Sequence, residues 1–212
     1  MRRALSTRNA RWARVLASRL AHAGVRPNAV SIAGLVFAAS ACAAFVVVPN
    51  LSGRSRGVAL IVVAVSIQLR LLCNLLDGML AVEQGLKTAT GDIYNDLPDR
   101  IADVVILAGA GYSLRDAAFG PAIGWLAATL AVFTAYVRLL GGSLGVTQQF
   151  IGPMAKQHRM FALTVAAAAG AIETVYGRTP RAVLFGLITI VAGAVVTVIR
   201  RTRRILLEVA SR

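Results

Sequence analysis

Six of the nine acidic residues fall between Asp77 and Asp103, in a chain that otherwise is mostly apolar or basic. Carboxylates gathered beside membrane-spanning segments are costly to desolvate, so they mark an ion, proton or substrate site. Two stretches carry four of the six: Asn74-Leu-Leu-Asp77-Gly78-Met-Leu-Ala81 and Gly91-Asp92-Ile-Tyr-Asn95-Asp96-Leu-Pro-Asp99. In a helix, Arg70, Asn74 and Asp77 share one face, which Gly78 and Ala81 continue with almost no side chain. A helix beginning near Gly91 gathers Asp92, Asn95, Asp96, Asp99 and Asp103 on one side. Two helices then present oxygen donors to each other. Oxygen donors without a Cys or His set suit a hard cation such as Mg2+, Mn2+ or Ca2+ and argue against zinc. The bland alternative is a solvated acidic loop.

What must position these residues is a membrane bundle. With 57% hydrophobic residues and a mean hydropathy of +0.69, the chain is no ordinary soluble domain. Apolar runs at 29–48, 57–82, 100–114, 117–140, 160–177 and 181–199 each approach the roughly 20 residues a crossing helix needs. The expectation is an all-α integral membrane protein with six transmembrane helices and an N-terminal amphipathic interfacial helix. It forms one domain over 1–212: an interfacial helix in 1–27, a bundle over 28–200 and a basic tail over 201–212. Residues 1–28 lack the apolar core of a secretory signal, so the first span is expected to be retained. Cys42 and Cys73 lie inside spans and read as packing residues.

Lys and Arg concentrate before the first span, in the 2–3 and 4–5 connections and after the last span. Positively charged loops are held back on the cytoplasmic side, so both termini and the acidic cluster are expected there, in the cell inner membrane. Within 4–20, Leu5, Trp12, Leu16 and Leu20 form an apolar face opposite Arg8, Arg11, Arg14 and Ser18, the pattern of a helix lying on anionic inner-leaflet lipid. Each basic residue near such a surface contributes about 1 kcal/mol. The net charge of +14 hugs span ends and no recognition motif accompanies it, so no nucleic acid is expected. Small residues at Gly141-Gly142 and Ala166 to Ala169 favour close helix contact and fit a homodimer. Glu173, near Tyr176 and Arg178, reads as an interfacial ion pair, and Trp12 and Trp125 as interface or packing residues.

The acidic stretches resemble the CDP-alcohol phosphotransferases, six-span enzymes that make phospholipid headgroups. That family's pattern, Asp-x2-Asp-Gly-x2-Ala-Arg-x8-Gly-x3-Asp-x3-Asp, falls on Asn74, Asp77, Gly78, Ala81, Val82, Gly91, Asn95 and Asp99 with every interval kept. Arg26-Pro27-Asn28-Ala-Val-Ser31 before the first span is similar to the family's Pro-Asn lead-in. Three positions depart. Asn74 and Asn95 stand for acids and Val82 for an arginine. Asn keeps a carbonyl oxygen for a hard metal but removes a full charge, which weakens divalent affinity. Asp96, Asp92 and Glu83 are candidates to restore it, and Arg70, Lys87 and Arg100 to offset the missing arginine.

The resemblance implies displacement at phosphorus: a hydroxyl attacks the phosphate of a CDP-linked donor, CDP-diacylglycerol or another CDP-alcohol, and CMP departs. It implies two ions, Mg2+ or Mn2+, held by Asn74, Asp77, Asn95 and Asp99, with Asp96 as a supporting ligand. Asp99 is the expected catalytic base. Asp77, Gly78, Ala81 and Gly91 would line the nucleotide. A polar alcohol acceptor bearing its own phosphate would be held by Arg138, Lys156 and Arg159, with Arg70 beside them; span-end cations also snorkel and fix topology. His158 is a weaker acid/base candidate. Two other classes stay open: a catalytically weakened relative acting as a nucleotide or lipid sensor or scaffold, and a small cation transporter. The second would place facing acids near mid-membrane, whereas these crowd one end.

Overall fold

The computed structural model describes residues 10–82, 85–86, 90–147, 150–178 and 181–211, the side chain of Asp92 excepted. Among them are seven α-helices: α1 (Arg11–His22), α2 (Pro27–Val47), α3 (Gly53–Val82), α4 (Gly91–Tyr112), α5 (Gly120–Ser143), α6 (Lys156–Val175) and α7 (Ala182–Ala210). Pro27 opens α2, where its missing N–H costs nothing and its fixed φ suits the first turn. At the end of α1 the chain turns through Gly24 at φ 75°, with Val25 N–H returned to the Leu20 carbonyl.

Helices α2 to α7 occupy the six apolar runs. Four of them, α2 with its 3-10 extension to Asn50, α3, α5 and α7, are long and apolar enough to cross a membrane. This is the architecture of a multi-pass membrane protein. The shorter α4 and α6 carry charged residues in their first turns. Helix α4 starts at Gly91, where the spacing of the acids predicts it and nine residues before the apolar run at 100–114, so Asn95, Asp96 and Asp99 are helical. The last run also extends further than expected. The segment read as a basic tail is helical to Ala210 and packs back, with Arg201 and Ile205 buried and Ile205 against Gly141.

The six long helices close a ring in the spatial order α2, α3, α6, α7, α5, α4. A core of small and branched residues fills it, among them Ala41, Leu60, Ile67, Ile106, Ala131, Leu163 and Leu187. Small residues set the helix spacing. A Cβ on Gly124 would stand 2.6 Å from Gly111 Cα, so α4 and α5 touch backbone to backbone. Helix α1 packs on α3 through Ala13 and Ala17, which are buried, with Leu16 and Leu20 partly covered. Trp12, read with Leu16 and Leu20 on a face lying in the lipid interface, is exposed, as is Trp125 on α5; Leu5 and Arg8 lie outside the described residues.

Candidate active site

The site forms where the C-terminal half of α3 meets the first turns of α4, with α2 and α6 on either side. On α3, Arg70, Asn74 and Asp77 follow at helical spacing and face the same way. Asn74 Nδ2 donates to both carboxylate oxygens of Asp99, at 3.0 and 3.1 Å. Arg70 Nη2 donates to Asp99 Oδ1 at 3.0 Å and to the Asp99 carbonyl at 3.2 Å. From the start of α6, Lys156 Nζ donates to Asp99 Oδ2. Asp99 is thus held from two helices at once.

Asp77 is placed differently. It is buried, its Oδ2 accepts a 2.7 Å hydrogen bond from Ser31 on α2, and its Oδ1 is buried without a partner. A buried carboxylate oxygen left unpaired is costly, so it marks a place where something positive or hydrogen-bearing belongs. A recess with room for about one water-sized particle lies here, lined by Ser31, Arg70, Asn74, Asp77, Asn95, Asp99 and the adjoining apolar residues. Gly78, Ala81 and Gly91 are not among its lining; they sit at the end of α3 and the start of α4.

One turn deeper, charge is closed on itself. Asp103 and Arg159, both 1% exposed, form a 2.8 Å ion pair, and Arg70 Nη2 approaches Asp103 Oδ1 at 3.5 Å. Arg159 also donates to Thr134 Oγ1 and to the Met154 carbonyl. Expected to clamp a phosphate, Arg159 is instead committed inside the bundle, because burial demands a carboxylate partner for it. Nearer the mouth, Arg138 lies 3.2 Å from Asp96 Oδ1 and its guanidinium caps the Phe150 ring, with Arg100 on the same oxygen at 3.7 Å. Of the cations expected to hold an acceptor, Arg138 alone stands at this outer rim; Arg70 and Lys156 turn inward onto Asp99. His158 Nδ1 bonds the Pro153 carbonyl, a loop fastening. Glu173 accepts from the Ala182 N–H and so caps α7. Glu83 and Lys87 lie outside the described residues.

Thr134 has no signal in the sequence, and the spacing that gathers Asp103 with the acids of α4 does not reveal its pairing with Arg159. Ser31 had a faint signal, standing four residues after Pro27 and so one turn into α2.

The donor set can be tested against divalent ions. Among the described residues, no three His, Cys, Asp or Glu side chains come together as a metal group. Asp77 offers an open oxygen, and Asn74 and Asn95 line the same recess. Asp99 already carries Arg70, Asn74 and Lys156. Among the described residues, the set fits one hard cation at Asp77 and does not fit a pair.

No protein-family model matches the chain, and a search of curated proteins finds no match to its sequence. Solved structures do match. Mycobacterium tuberculosis phosphatidylinositol phosphate synthase (PgsA1) with CDP-DAG bound is similar at a TM-score of 0.75 and 22% identity, covering 92% of this chain and 94% of that one. The fold is that of PgsA1. The PgsA1 complex with manganese and citrate gives a TM-score of 0.77 at 19% identity, covering 92% and 88% of the two chains. Apo PgsA1 gives 0.70 at 21%, covering 89% and 93%. Both chains are matched over most of their length, so the likeness is one of the whole fold.

Proposed function

We propose that this chain transfers a substituted phosphate group from a CDP-linked donor, CDP-diacylglycerol, to the hydroxyl of a polar alcohol, releasing CMP, as a step of phospholipid synthesis. One observation carries the reading: the spaced residues Asn74, Asp77, Asn95 and Asp99 converge on a single recess, in a fold whose PgsA1 counterpart holds CDP-DAG. The donor's acyl chains would lie along the outward apolar faces of the bundle while its diphosphate reaches the polar end. The helices α2 to α7 would be six spans, with both termini and the site on the cytoplasmic face of the inner membrane, and small-residue faces pairing two copies.

Asp99 takes the proton from the attacking hydroxyl. Arg70 and Asn74 fix its carboxylate, and Lys156 gives a positive charge beside it. Ser31 orients Asp77, whose free oxygen would hold a Mg2+ or Mn2+ ion; when bound, that ion supplies charge to neutralise a diphosphate. Gly78, Ala81 and Gly91 leave room for the nucleotide. Arg138 and Arg100 at the rim, bridged by Asp96, are placed to hold a phosphate on the acceptor.

The test incubates purified protein with CDP-diacylglycerol, Mg2+ or Mn2+ and a panel of polar alcohols and their phosphates, and measures CMP. Release that Asp77→Ala and Asp99→Ala abolish is expected. A second reading, a nucleotide or lipid sensor, is favoured by the closure of Asp99 under Arg70, Asn74 and Lys156. Binding of CDP without CMP release from any acceptor, unchanged by Asp99→Asn, would select it.

A further inference from the structure

We infer that Lys156 stands in place of a second divalent ion, so that the site binds one hard cation, at Asp77, and supplies the other positive charge from its own chain. The inference rests on the proposed reaction only for the expectation of two ions; the ion count is measured without turnover.

Three observations carry it. Lys156 comes from the first residue of α6 yet does not extend toward the surface: its ammonium sits on Asp99 Oδ2, and both side chains are mostly covered. A flexible cation at a helix start normally reaches for water. Its inward course requires a strong attraction, and Asp99 supplies it. Second, the two positions that would add carboxylates to an ion pair are Asn74 and Asn95. Asn74 turns its amide N–H toward both oxygens of Asp99. Each asparagine removes one negative charge, and the lysine adds a positive one, so the changes all point the same way. Third, the described ionic side chains here already hold more cations than carboxylates, with Arg70, Arg100, Arg138, Lys156 and Arg159 facing Asp77, Asp96, Asp99 and Asp103. A second dication beside the ammonium would meet strong repulsion in a low-dielectric recess.

Asp77 is the exception that leaves room for one ion. It is 5% exposed, its Oδ1 has no partner, and no basic side chain forms an ion pair with it among the described residues. A hard cation takes such an oxygen together with amide carbonyls.

Bound Mn2+ can be counted by electron paramagnetic resonance on the purified full chain, with Mn2+ alone and with CDP added. One Mn2+ per chain is expected, lost in Asp77→Ala. Asn74→Asp alone should leave the count at one, since Lys156 still occupies the place; the double variant Asn74→Asp, Lys156→Met should bind two. Two ions in the natural chain, or none, would overturn the proposal. So would two in Asn74→Asp alone, or a double variant that elutes and melts like the natural chain but binds one. If the double variant fails to fold, the natural chain and Asn74→Asp decide the matter.

Discussion

Asn74 spans both carboxylate oxygens of Asp99 with one amide nitrogen, at 3.0 and 3.1 Å, and this contact joins α3 to α4 at the site. Removing it leaves Asp99 to Arg70, Lys156 and, at 3.9 Å, Arg100. A hydrogen bond to a charged group is worth about 1.5–3 kcal/mol. Asn74→Ala should therefore lose about that much stability and cut CMP release at least tenfold, read by thermal unfolding and by the CMP assay.

Arg159 and Asp103 make the most deeply buried ion pair described. Breaking such a pair strands a charge, at about 3–5 kcal/mol. Arg159→Met should lower the unfolding temperature sharply and reduce yield, with Arg159→Lys in between. A well-folded Arg159→Met whose only defect is a raised KM for the acceptor would return this arginine to the binding surface.

Ser31 holds Asp77 in its rotamer through a 2.7 Å bond. Ser31→Ala should cost about 1 kcal/mol of stability and weaken Mn2+ binding by several-fold, while Ser31→Thr keeps the hydroxyl. Titration of Mn2+ against both variants checks this, and equal affinity in Ser31→Ala would show that the hydroxyl does not orient the carboxylate.

At Gly124 a methyl group would meet Gly111 Cα at 2.6 Å and its own neighbours cannot retreat, because the contact is backbone on backbone. Gly124→Ala should destabilise by about 1–3 kcal/mol through overpacking. The site lies at the other end of α4, so turnover per folded molecule should hold, measured as CMP release normalised to monodisperse protein.

Much of this was legible in local spacing. Helical periodicity put Arg70, Asn74 and Asp77 on one face and gathered the acids of α4, since those relations repeat within one element. Hydropathy located α2 to α7, and the spacing of the acids rather than hydropathy marked the start of α4 near Gly91. Its first turns look interfacial by composition, yet cations from α3, α5 and α6 neutralise them, so helix continues through Asn95 and Asp99. The same reason hid the pairings. Arg159 and Asp103 are 56 positions apart, and nothing near either says which way it turns. A snorkelling cation and an inward one have the same sequence neighbourhood; only the ring's spatial order, α3 beside α6, decides between them. The basic end of α7 misled similarly, because Arg201 finds the carbonyls of Thr134 and Ile151 inside the bundle.

That spatial order has a bearing on biogenesis. Helix α2 lies between α3 and α4 on one side of the ring, while α6, which neutralises Asp99 and Asp103, is made after both. Until α6 arrives, only Arg70 and the more distant Arg100, 3.9 Å from Asp99, offset two carboxylates among the described residues. The nascent first five helices must therefore keep the polar start of α4 near water, and its final seating depends on delivery of a lysine and an arginine synthesised later.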